Sequence, residues 1–171
     1  VLSIPGFSGP EFTLRPMTKY LRRLGFNAQT WGMGTNKGPK DGRMDYIDVL
    51  ADMMADKIKG MADESGEKVS IVGHSLGGIY ARELARRFPD YIDRVITLGS
   101  PAHLDTVSSV RGVNSLVGML FKARTGAHTQ AMIQGENGGL HEMVTPPPGI
   151  PLVAIYSPYD GVVSEDTTSI P

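Results

Sequence analysis

Short apolar runs alternate with helix-spaced stretches along the chain. Residues 1–4 form an apolar run closed by Pro5-Gly6, which predicts a buried strand. Met17, Tyr20, Leu21 and Leu24 then recur at i, i+3, i+4 and i+7. That spacing predicts a helix with Pro16 in its first turn and Gly25 as its C-terminal stop. Residues 26–31 predict a second short strand, and the glycine-rich stretch 31–39 a loop. The clearest amphipath follows. Ile47, Leu50, Ala51, Met54, Ile58 and Met61 fall on one helical face, and Asp45, Asp48, Asp52, Asp56 and Lys59 on the other. Residues 69–73 predict a strand, 76–88 a helix stopped by Pro89, 94–99 another buried strand, and 152–156 a last one.

Strands of four to six residues separated by helices predict βαβ units. The expected class is α/β: a mostly parallel sheet with helices on both faces, as one domain over residues 1–171. In such sheets functional groups gather beyond the carboxyl ends of the strands. The residues to inspect are therefore 6–8, 32–34, 74–76, 100–103 and 157–160. One of these segments carries a pattern with a mechanism, Gly73-His74-Ser75-Leu76-Gly77, set between an apolar strand and a helix. In a Gly-x-Ser-x-Gly elbow the glycines let the chain turn more tightly than side chains allow. The serine then stands above the sheet edge at a helix N-terminus. Ser75 is the candidate nucleophile, and its bland alternative is a small turn residue.

Composition narrows the field. A net charge of −1 over 171 residues gives no attraction to nucleic acid or to an anionic membrane surface. The chain contains no cysteine, which excludes disulfides, zinc–thiolate sites and a thiol nucleophile. No apolar run approaches the roughly 20 residues that span a bilayer. A soluble protein is expected, cytoplasmic or secreted. The sequence opens on a strand without an initiator methionine, so it is expected to be a piece of a longer protein that has lost any targeting segment. The run Gly32-Met33-Gly34-Thr35-Asn36-Lys37-Gly38 lacks the Gly-Lys-Ser/Thr of a phosphate loop and the Gly-x-Gly-x-x-Gly spacing. No cofactor is expected. No His/Asp/Glu cluster has metal-ligand spacing, so no catalytic metal is expected either.

Several stretches together resemble the α/β-hydrolases, and within them bacterial lipase- and esterase-like members. Besides the elbow, Ile4-Pro5-Gly6-Phe7 looks like the family's first oxyanion loop, and residues 31–36 resemble a Trp-Gly-Leu-Gly-x-Asn stretch of that branch. Thr97-Leu98-Gly99-Ser100-Pro101 is similar to the strand end after the elbow helix. Residues 154–163, with Asp160-Gly161-Val162-Val163, resemble the acid-bearing loop. The resemblance covers essentially the whole chain and implies an α/β-hydrolase fold, incomplete at both ends. It implies a serine esterase or lipase acting through an acyl-enzyme on a small-molecule or lipid ester.

On that resemblance Ser75 attacks, Asp160 orients the histidine, and the backbone N–H groups of Phe7 and Leu76 hold the oxyanion. Asp160 also has a plain reading as a turn residue before Gly161, and Glu165 and Asp166 are fallback carboxylates. The family's order is Ser, Asp, His, whereas the histidines here are at 74, 103, 128 and 141, all before Asp160. His74 is expected to point away from the site, His103 to lie near its mouth, and His128 and His141 to be surface residues. The general base is expected from a loop beyond residue 171, so this stretch by itself would lack it. Residues 104–143 are a candidate cap or lid; Val113, Leu116, Val117, Leu120 and Phe121 could equally form a helix packed on the sheet. Met33, Met119, Met132 and Met143 suit either an adaptable apolar pocket or core filling. Two other functions stay open: a non-catalytic relative that binds a ligand, and an acyltransferase using the same nucleophile.

Overall fold

The computed structural model describes residues 1–38, 45–102 and 147–160. They form a five-stranded sheet in the order β2-β1-β3-β4-β5, with every neighbouring pair parallel. Strand β1 is Leu2–Ile4, β2 Gln29–Thr30, β3 Val69–His74, β4 Ile92–Leu98 and β5 Leu152–Ile155. A 3-10 turn, Glu11–Leu14, leads into helix α1, Arg15–Arg23; α2 is Asp45–Ser65 and α3 Leu76–Arg87. Parallel neighbours need crossovers, and these helices supply them between successive strands from β1 to β4. All carboxyl ends of the strands therefore share one edge.

Register decides what the sheet buries. Leu2 lies opposite Ile71, and Ile71 opposite Val95, so three apolar side chains cross the middle of one face. Leu50, Met54, Ile58 and Met61 of α2 and Ile79, Tyr80 and Leu84 of α3 join them in a single buried cluster. The aspartates expected on the far side of α2, such as Asp48, Asp52 and Asp56, are exposed. Ile71 is 0% exposed at the centre of this layer. Ile71→Ala is expected to cost about 3–4 kcal/mol, from lost transfer energy plus the cavity left behind. Urea titration checks this, with a lower midpoint and an unchanged slope.

Among the described residues, the opposite face is covered less closely. There Leu21 of α1 and Phe26 border a groove of about 900 Å³ floored by Ser70, Val72 and Ile96. Helix α1 forms where the apolar spacing places it, but Tyr20 and Leu24 are exposed. The residue it buries is Thr18, whose hydroxyl donates to the carbonyls of Leu14 (3.0 Å) and Arg15 (3.1 Å). An i−4 back-bond satisfies this hydroxyl locally, so it can be buried where an apolar residue was expected. The strand expected over 26–31 shrinks to Gln29–Thr30. Phe26 stays in solvent, and Trp31 leaves the ladder to bury its ring while its indole N–H donates to the Gly34 carbonyl at 2.9 Å.

Candidate active site

The turn from β3 into α3 is built on one strained residue. Ser75 has φ +51° and ψ −121°. Among the described residues, only Ser8 shares a positive φ without being glycine. A left-handed backbone costs an L-residue roughly 1–2 kcal/mol, so the surroundings must enforce it. Two hydrogen bonds do so: Ser75 N–H donates to the Leu98 carbonyl, and Gly78 N–H to the Ser75 carbonyl, each at 2.9 Å. Close approach does the rest. A Cβ on Gly73 would overlap the Gly77 carbonyl and lie 2.5 Å from the Gly78 Cα, and one on Gly77 would run into the backbone of Ile4 and Pro5. Because backbone rather than a yielding side chain stands in the way, Gly73→Ala is expected to cost about 3 kcal/mol. Gly60 makes the control. It sits inside α2, where an added Cβ would meet nothing within 4 Å, and Gly60→Ala is expected to stabilise by about 1 kcal/mol. Paired thermal melts of the two variants read both signs.

Three other strand ends converge on Ser75. The loop after β1 brings Gly6 against it, so that a Cβ there would lie 3.0 Å from the Ser75 Cβ. Phe7 follows, its ring packed on the backbone at Gly38 and on the core. After β5 the chain turns with Asp160 N–H donating to the Ser157 carbonyl at 3.1 Å. The Asp160 carboxylate lies against Gly99, the residue that leaves β4. Phe7, Ser75 and Asp160 all line one cleft of about 460 Å³, walled on its other side by Thr13, Leu14 and Met17. Leu76 opens α3, where the first N–H groups have no partner within the helix and the dipole is positive. Its side chain is buried and does not line the cleft.

His74 departs from expectation. It is exposed at the end of β3 and lines the same cleft as Ser75 instead of pointing away, with Nδ1 beside Gly6. The period-2 alternation of β3 explains it: Ile71 and Gly73 face the helices, so His74 falls on the opposite side. His103, His128, His141, Glu165, Asp166 and the cap segment 104–143 lie outside the described residues. So do Met119, Met132 and Met143, whereas Met33 packs against the core. Among the described residues no group of three or more His, Asp or Glu gathers that could hold a metal ion, and no helix is long and apolar enough to cross a membrane.

Two buried polar residues brace the site and were not anticipated from the sequence. Asn36 grips the loop that carries Phe7, through contacts with Pro5, Ser8 and Gly9. Arg82, one turn along α3 from Gly78, is 0% exposed and donates from Nη1 to the Pro101 carbonyl, tying α3 to the segment that leaves β4. Burial, with help from the nearby Arg86 charge, pushes its pKa down to about 10. It keeps its charge at neutral pH. An arginine inside an otherwise apolar helix pattern was the available signal for the second residue.

The parallel sheet, the strained serine turn and the order of the loops around it define an α/β-hydrolase. The model of the family described as the alpha/beta hydrolase fold matches residues 30–122, and the chain belongs to that family. Its similarity reaches human "Serine hydrolase BPHL", 30% identical over 115 residues, which are 64% of this chain and 38% of that protein. The chain thus spans well under two thirds of that relative's length. Among solved structures, Bacillus licheniformis lipase BlEst2 in its mature form is 20% identical with a TM-score of 0.54, covering 99% of this chain and 78% of that one. A lipase-esterase related protein from Clostridium acetobutylicum is 15% identical with a TM-score of 0.59, covering 98% and 77%. The 2-hydroxy-6-oxo-6-phenylhexa-2,4-dienoate hydrolase of Rhodococcus sp. strain RHA1 is 20% identical with a TM-score of 0.51, covering 97% and 76%. At these identities the likeness is one of fold.

Proposed function

We propose that this chain carries the nucleophile, the acid and the oxyanion donors of a serine hydrolase that cleaves carboxylic esters of apolar acids. One observation carries the reading: Ser75 is held at φ +51° between β3 and α3, in the cleft that Asp160 and the Phe7 loop also line. A serine used only for turning would gain nothing from that strain, whereas a nucleophile gains exposure of Oγ over the sheet edge.

The chemistry runs in two halves. Ser75 Oγ attacks the acyl carbon while a histidine, supplied from outside the described residues, takes its proton. Asp160 holds that imidazole in the tautomer that accepts the proton. The carbonyl oxygen becomes an oxyanion facing the N–H groups of Phe7 and Leu76, each such donor contributing about 3–4 kcal/mol in the transition state. Collapse expels the alcohol, which takes the proton back from the imidazolium. Water then repeats the sequence on the acyl-serine and releases the acid. Leu14, Met17 and Phe7 give the cleft an apolar wall suited to an acyl chain.

The test uses the full-length protein, a fluorophosphonate probe and a series of p-nitrophenyl esters. Phosphonylation mapped to Ser75 with saturable turnover of the esters is the expected result. Turnover without labelling at Ser75, or neither, would overturn the reading.

A further inference from the structure

We propose that Asn36 is the positioning residue of the oxyanion loop, its carboxamide setting where the Phe7 N–H points. This rests on the hydrolase reading above. Asn36 is 0% exposed, an unusual place for an amide whose polar groups all need partners. Each polar group has one, and most of the partners belong to one loop. Nδ2–H donates to the Pro5 carbonyl at 2.7 Å. The Asn36 carbonyl accepts from Ser8 N–H at 2.7 Å, and Asn36 N–H donates to the Gly9 carbonyl at 3.1 Å. Pro5, Ser8 and Gly9 bracket Phe7 on both sides, so the peptide carrying the proposed donor is clamped before and after.

The other arm of the same carboxamide acts on the Phe7 ring. Oδ1 accepts from Gly38 N–H at 3.1 Å, forming a turn at Gly38 (φ +67°). A Cβ at Gly38 would lie 2.9 Å from the Phe7 ring, so this turn is seated directly on that ring. The side chain therefore ties the chain just before Phe7, through Pro5, to the turn on which the Phe7 ring rests, while the Asn36 backbone holds Ser8 and Gly9 just after it. The loop needs such a clamp. Ser8 sits at φ +56°, held by the Asn36 backbone carbonyl, and the carboxamide bonds to Pro5 and Gly38 set where that carbonyl lies. An oxyanion donor works only when its N–H is already aimed at the developing charge, and small misplacement is expensive in rate.

The experiment compares Asn36→Ala and Asn36→Asp with wild-type full-length protein. Asn36→Asp keeps an acceptor for Gly38 N–H while removing the donor to Pro5. Ile58→Ala serves as a destabilised control remote from the loop. Sites are counted by fluorophosphonate titration of Ser75, so turnover is expressed per competent site. For p-nitrophenyl butyrate, kcat is expected to fall about 30- to 100-fold in both Asn36 variants, with KM within threefold. An alkyl trifluoromethyl ketone, whose hemiketal oxyanion occupies the same hole, should lose affinity by the same factor. The control should keep wild-type kcat per site and ketone affinity. If wild type turns over esters while the Asn36 variants keep kcat and ketone affinity within threefold, the positioning role is overturned and the hydrolase reading stands. Variants that yield no titratable Ser75 would also overturn it, assigning Asn36 to folding. If wild-type protein neither labels nor turns over, both proposals fall together.

Discussion

Ser75→Ala in the full-length protein is expected to lower kcat for p-nitrophenyl butyrate by about 10⁴- to 10⁶-fold. Fluorophosphonate labelling should disappear with it. The effect is this large because the serine oxygen is the bond-forming atom, and because nucleophile, base and acid act as a unit rather than additively. Stability should hardly move. Alanine occupies the same left-handed turn at nearly the same backbone cost, and Ser75 makes no side-chain capping bond to lose. A variant that melts like wild type but has lost turnover separates chemistry from folding. Persistence of wild-type turnover in it would sink the assignment.

The second large effect concerns the acid. Asp160→Asn preserves size and leaves the backbone bond from residue 160 to the Ser157 carbonyl in place. The change should therefore be electrostatic: an amide no longer holds the histidine in its proton-accepting tautomer or stabilises the imidazolium. A fall in kcat of about 10³- to 10⁴-fold is expected at pH 7, with KM little changed. Steady-state kinetics of Asp160→Asn beside Glu165→Gln and Asp166→Asn decides between the three carboxylates. A loss of less than tenfold in Asp160→Asn, with a large loss in one of the others, would move the role to that residue.

These expectations draw on different depths of information. Part of the turn around Ser75 rests on contacts only a few residues apart in sequence. Gly73 approaches Gly77 and Gly78, and an apolar run on one side and helical spacing on the other set the directions of entry and exit. The apolar face of α2 is legible for the same reason, since a 3.6-residue period already says which side is buried. Local patterns failed where burial was not decided locally. Tyr20 and Leu24 have core-like spacing but lie in solvent, and buried Thr18 satisfies its hydroxyl inside its own helix. Trp31 has the pattern of a strand end but leaves the ladder to bury its ring.

From the amino-acid order alone came the alternation of strands and helices, the parallel class of the sheet, and a serine poised in a sharp turn. Each follows from short-range periodicity and from glycine's tolerance of close approach. The meeting of Phe7, Ser75 and Asp160 in one cleft depended on strand order, which places β1 and β4 on either side of β3 and β5 beyond β4. So did the placing of His74 on the cleft, through the facing of β3, and the use of Asn36 as a buried clamp on the Phe7 loop. Hydrogen bonds such as Asn36 to Pro5 join residues far apart in the chain. No local period encodes them, and only the folded sheet brings their partners within reach.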